Sequence, residues 1–147
     1  MLLVSTEVVG ALLDGLAGAV AGGVISAIMT SREERKRSQT EIALHFLEQF
    51  MSEYGELAKV KGMLLDSSAL TDVDNLNRIR KFGDWYEIVA ASCLADVVDR
   101  ALLKKVGIPA EMRVFFESSV SAAKDVPSIA EALKGWTNLE QYINQGD

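Results

Sequence analysis

The stretch VVGALLDGLAGAVAGGVISAIMT, residues 8–30, carries one charge in twenty-three positions and runs straight into SREERKR, residues 31–37. A helix of that length reaches about 34 Å at about 1.5 Å per residue, enough to cross a hydrocarbon core of about 30 Å. Beyond it the sequence turns charged and amphipathic. The chain therefore reads as all-α, with a single N-terminal transmembrane helix (1–30), a basic juxtamembrane segment (31–37) and a small cytoplasmic helical domain (38–147). That last part is expected to be a bundle of about five helices. Two other readings of the first thirty residues compete. A cleaved secretory signal opens with Lys or Arg, and here neither occurs before Arg32, while Glu7 and Asp14 are acidic. A helix buried in the protein's own core is the second alternative, because Gly and Ala make membrane insertion marginal.

Spacing by four sorts the apolar stretch into rows. Gly10, Asp14, Gly18, Gly22 and Ser26 form one row, with Gly15, Ala19 and Gly23 in the next, while Leu12, Leu16, Val20, Val24 and Ile28 lie opposite. Small residues on adjacent rows let another backbone come close, so Gly10, Asp14, Gly15, Gly18, Ala19, Gly22, Gly23 and Ser26 are expected to pack against other transmembrane helices. Asp14 has two open readings: shallow enough to reach interfacial water, or turned into a helix interface or narrow pore. Arg32, Arg35, Lys36 and Arg37 form the expected membrane-surface anchor in contact with anionic lipid. By the positive-inside rule they place the N-terminus outside a bacterial inner membrane and the rest in the cytoplasm.

The residues after the anchor suffice for one compact core without metals or disulfides. A lone Cys93 excludes an intramolecular disulfide framework, and the net charge of -6 leaves no basic strip for nucleic acid. From Ser31 the helix either continues or restarts near Ser38 or Thr40. Ile42, Phe46, Leu47, Phe50, Tyr54, Leu57, Val60 and Leu64 keep a helical period and form the expected core face. Turn residues follow at 66–72, with Thr71, Asp72 and Asp74 as candidate caps of a second helix. A short helix is expected over 97–106 with Gly107 closing it. Pro109 opens the next, and Pro127 or Ser128 a short turn that Gly135 stops. An apolar segment over 136–143 closes the domain.

Catalytic chemistry finds no support. His45 stands alone, with no cysteine pair or second histidine to make a zinc site. There is no phosphate loop, nucleophile elbow or calcium loop. Asp84 with Glu87, and Asp96 with Asp99, are acid pairs at helical spacing, which most often mark wet faces or caps. Glu87, flanked by Trp85, Tyr86, Ile88 and Val89, is the candidate for a buried ion pair with Arg100, or with Arg113.

The segment Asp84-Trp-Tyr-Glu87, the run from Val97 to Leu103 followed by Gly107, and Trp136-Thr-Asn-Leu-Glu140 together resemble a group of membrane-anchored, all-helical bacterial and phage proteins of unknown function. The resemblance covers most of residues 38–143, whereas the Gly-rich span departs from it. It implies an N-terminal anchor before a helical domain, and no activity. The expectation is thus a non-enzymatic, membrane-anchored oligomerisation or interaction protein. It binds membrane lipid and either its own copies or a membrane-protein partner, with no cofactor, metal, nucleic acid or small-molecule substrate. A pore-forming effector, as in phage defence or exclusion, and an accessory subunit of a larger membrane complex stand as alternatives.

Overall fold

A computed structural model describes residues 6–146, with side chains from residue 30 onward. The chain divides into two compact units, Met1–Arg37 and Ser38–Asp147. Every regular element among the described residues is helical: α1 (Thr6–Leu64), α2 (Val73–Leu94), α3 (Arg100–Lys105), α4 (Ile108–Ala122), α5 (Pro127–Leu133) and α6 (Thr137–Gln145), with a 3-10 turn at Ala69–Thr71. The all-α expectation holds. Among the described residues no helix is long and apolar enough to cross a membrane. The expected span and its packing positions Gly10, Asp14, Gly15, Gly18, Ala19, Gly22, Gly23 and Ser26 fall outside the residues whose side chains are described.

No turn interrupts the chain at Ser38 or Thr40, because α1 continues unbroken for 59 residues. Arg, Glu, Lys and Gln dominate 31–41 and cost little in a helix, so nothing there outweighs propagation from either side. Thr40, instead of capping a new helix, directs its hydroxyl to the Asp99 carboxylate at 3.5 Å. In the second unit Ala43, Phe46, Phe50, Leu57, Val60 and Leu64 are buried. These positions alternate by three and four, the spacing that keeps one stripe facing a neighbour. Glu53 takes the place between Phe50 and Leu57 and pairs with Lys81 of α2 at 2.8 Å.

Each break in the chain has a local cause. Asp66 Oδ1 accepts from Ser68 N and Oγ, tightening the turn after α1. Asp72 caps α2 by accepting from Asp74 N at 2.7 Å and Asn75 N at 3.2 Å, filling two of the orphan amides at the helix start. At the other end of α2, Val97 N donates to Ser92 O and Asp96 N to Cys93 O. That is the Schellman pattern, with Asp96 at φ 55° in the left-handed position where glycine is usual. The expected helix over 97–106 is therefore shorter: the chain spends Asp96 to Val98 on this exit, and α3 begins only after Asp99, whose side chain accepts from Leu102 N at 3.1 Å. Gly107, at φ 81°, separates α3 from α4, and Pro109 sits in the first turn of α4.

Helices α2 and α4 form the middle of the domain, burying Ile79, Phe82, Tyr86, Val89 and Cys93 on one and Ile108, Met112, Phe115 and Ala122 on the other. Rings run through this core in series: Tyr86 meets Phe115 at 5.2 Å and Phe115 meets Trp136 at 5.6 Å. Trp136, just before α6, lies hard against α2: a Cβ added to Gly83 would fall 1.8 Å from its Cζ2.

Candidate functional site: the outer face of α1

The carboxylates singled out from sequence are structural. Glu87 accepts from Asn138 N (3.0 Å), Asn138 Nδ2 (2.6 Å) and Leu139 N (2.8 Å), and so holds the first turn of α6. Asp84 accepts from Trp136 Nε1 at 2.9 Å. The expected ion pair of Glu87 with Arg100 is not formed. Arg100 is exposed and its guanidinium donates to the Cys93 carbonyl, at the far end of α2 from α6's first turn. Arg113 makes no ion pair with Glu87 either; the Glu87 oxygens are taken up by amides, which satisfy a half-buried carboxylate without a second charge. Asp84, Glu87, Trp136 and Asn138 thus form a clasp between α2 and α6 whose partners lie about fifty residues apart.

Among the described residues the remaining reactive groups stand apart. Cys93 is buried, and burial pushes its thiol up, away from the thiolate form that makes a nucleophile. His45 is exposed on α1. Among the described residues no group of His, Cys, Asp or Glu could hold a metal ion. A cavity of about 60 Å³ between α1 and α2 is lined by Phe50, Leu57, Phe82 and Trp85 with Gln49, Glu53 and Lys81. It has room for a few waters, and its one acid and one base, Glu53 and Lys81, are tied to each other at 2.8 Å. Of the basic segment, Arg32, Arg35, Lys36 and Arg37 are all exposed on α1.

Beside its charged surface, α1 also exposes large apolar side chains. Leu44 is 45%, Met51 67% and Tyr54 50% accessible, on a helix whose neighbouring stripe is packed into the core. Leu47 is half-buried beside them and Ala58 is exposed. At about 100° per residue these five side chains share one stripe about 100° wide over four turns, adjacent to the core stripe and distinct from it. Tyr54, expected in the core, lies on this second stripe instead. Its ring touches Phe50 edge-on at 5.5 Å and leaves half its surface to solvent. Gly55 and Gly62 sit on the stripe's outer edge, and a Cβ added to either meets nothing within 4 Å. Glycine inside a helix costs about 1 kcal/mol relative to alanine, and no neighbour in this chain requires it at these two positions.

The stripe is bounded differently on its two sides. On one side lie α3 and α4. Gln39 donates to Asp96 O (2.7 Å) and accepts from Asp99 N (3.1 Å), and Lys61 pairs with Glu111 at 2.6 Å. On the other side are Glu41 and Glu48, both exposed. On α3, Arg100, Lys104 and Lys105 are exposed, and Arg100 and Lys104 line a surface pocket with Pro109 and Tyr142. The second apolar stripe was hidden in the sequence, because α1 is apolar over more than half its circumference and its period shows a helix without showing which half is covered.

No protein-family model, curated protein or solved structure matches this chain.

Proposed function

We propose that this chain is a non-enzymatic helical interaction protein, held at a membrane by residues 8–30 and offering the outer face of α1 to a partner. The exposed stripe of Leu44, Met51 and Tyr54 carries the interaction part of this reading. Large side chains at helical spacing, left open beside a complete core, are the mark of a surface that another molecule covers. The membrane part rests on composition: one charge in residues 8–30, followed by Arg32, Arg35, Lys36 and Arg37. The resemblance to membrane-anchored helical proteins belongs to the same reading.

The test is made on the full chain expressed in bacteria. Membranes are washed at alkaline pH, and the distribution of chain between pellet and supernatant is measured. Retention in the pellet is the expected result. Complete release sinks the anchor. A pore, the second reading that Asp14 keeps open, predicts ion leakage on expression that Asp14→Leu abolishes.

A further inference from the structure

Away from the α1 stripe, α3, the start of α4 and the end of α6 surround a surface pocket of about 200 Å³, lined by Arg100, Ala101, Lys104, Pro109, Tyr142 and Gly146. Two of these side chains are fixed from behind by one residue. The Arg100 guanidinium donates to the Cys93 carbonyl at the end of α2, and the Tyr142 hydroxyl donates to the buried Cys93 thiol. Lys104 stands four residues after Arg100 on α3, so the two cations share one side of that helix. Pro109, buried at the start of α4, adds an apolar wall.

We propose that this pocket binds a phosphate group, carried by a small soluble molecule or by a lipid. Among the described residues its lining holds two cations and no carboxylate, in a chain where acidic residues outnumber basic ones by 21 to 15. Other lysines are neutralised within the fold: Lys59 by Glu56, Lys61 by Glu111, Lys81 by Glu53 and Lys134 by Glu131. Lys104 has no such partner among the described residues. Like charges four apart on a helix repel, and an anion held between them turns that repulsion into attraction. Arg100 gives one N–H to Cys93, and its other donors keep the planar fork that matches a pair of phosphate oxygens, with the Lys104 ammonium as a point charge alongside. Two fixed positive charges suit a dianion better than a single carboxylate. The pocket is smaller than the roughly 300–1,000 Å³ that encloses a drug-sized ligand, and fits one tetrahedral anion with the first atoms of its carrier. The last turn of α3 favours Lys104 and Lys105 alike through the helix dipole. Only Lys104 lines the pocket, so Lys105 serves as the control beside it.

The experiment measures the rate of lysine acetylation in the full chain, kept in a nonionic detergent, with tandem mass spectrometry reading Lys104 and Lys105 separately. Inorganic phosphate is compared with acetate at equal ionic strength. At saturation phosphate is expected to slow Lys104 about five-fold or more and Lys105 less than about two-fold. Lys105→Gln is expected to leave the slowing of Lys104 intact. Arg100→Gln, its fold checked by circular dichroism, is expected to remove it. A second arm distinguishes the carriers: the chain is mixed with phosphatidylcholine vesicles, with or without phosphatidic acid. Selective slowing by inorganic phosphate supports a soluble carrier, and selective slowing by phosphatidic acid alone supports a lipid headgroup. No selective slowing of Lys104 in either arm overturns the proposal. So does an equal effect from acetate, an equal effect on Lys105, or slowing that survives Arg100→Gln, since each is what ionic screening without a site produces.

Discussion

Gly83 shows how much of this fold depends on single atoms. The Trp136 ring fills the space beside its Cα, and Trp136 is 1% exposed with its indole nitrogen bound to Asp84 on the next residue. Gly83→Ala must expel the ring or spread α2 from α6, and is expected to cost about 3 kcal/mol in urea unfolding, despite alanine's better helix propensity. Glu87 makes the companion case. Glu87→Ala leaves Asn138 and Leu139 amides without an acceptor and should cost about 2 kcal/mol. Glu87→Gln keeps one acceptor oxygen and should cost less than half of that by the same measurement. Tyr86 argues the other way. Its side chain is fully buried, its hydroxyl has no partner among the described residues, and burial, with Glu111 and Tyr54 adding to it, raises its ionisation well above the usual 10.0. A raised phenol is neutral in the folded chain while the unfolded chain ionises from about pH 10, so this group's stabilisation is complete below that pH and is lost progressively above it. Tyr86→Phe should be neutral or stabilising by up to about 1 kcal/mol at pH 7, and should flatten the fall in melting temperature above about pH 10.

Among the elements, α1 carries the argument because it has two apolar stripes and only one is used inside the chain. If Gly55 and Gly62 serve no contact within the fold, Gly55→Ala and Gly62→Ala should each raise the isolated domain's contribution to stability by about 0.5–1 kcal/mol, read by chemical denaturation. A loss from either would mean that something in this chain already occupies those positions. The helix boundaries were legible where a residue type has one conformational use: Asp72 as a cap, Gly107 in a left-handed turn, Pro109 and Pro127 in first turns. They were illegible where an uncommon residue took a common role. Asp96 occupies a position that glycine normally fills, so a short helix seemed to start there rather than a long one to end. Periodicity failed in a different way for Tyr54. A stripe broader than half a helix obeys the period wherever its edge is drawn, and only the packing of α2 and α4 decided that Phe50 and Leu57 were inside and Tyr54 was not. The α2–α6 clasp was out of reach for a third reason: Glu87 looked like a charge in need of a charge, whereas its partners are uncharged amides about fifty residues away.

At the scale of the whole molecule, the acidic balance of -6 and the exposed apolar stripe of α1 pull in opposite directions. Net negative charge repels like copies, although exposed Arg78, Arg80, Lys81, Arg100, Lys104 and Lys105 interrupt the acidic surface. Any attraction at this face comes from apolar burial on the α1 stripe, against that repulsion. Association of folded copies is linked to folding, because a partner that binds only the native chain raises its stability as concentration rises. The full chain in detergent should therefore show a melting temperature that climbs with the protein-to-detergent ratio. Met51→Glu should remove the climb and leave the dilute melting temperature within about 2 °C, since Met51 is 67% exposed and contributes little to the core of its own chain. A melting temperature independent of concentration in the unaltered chain would leave the outer face of α1 to a different partner.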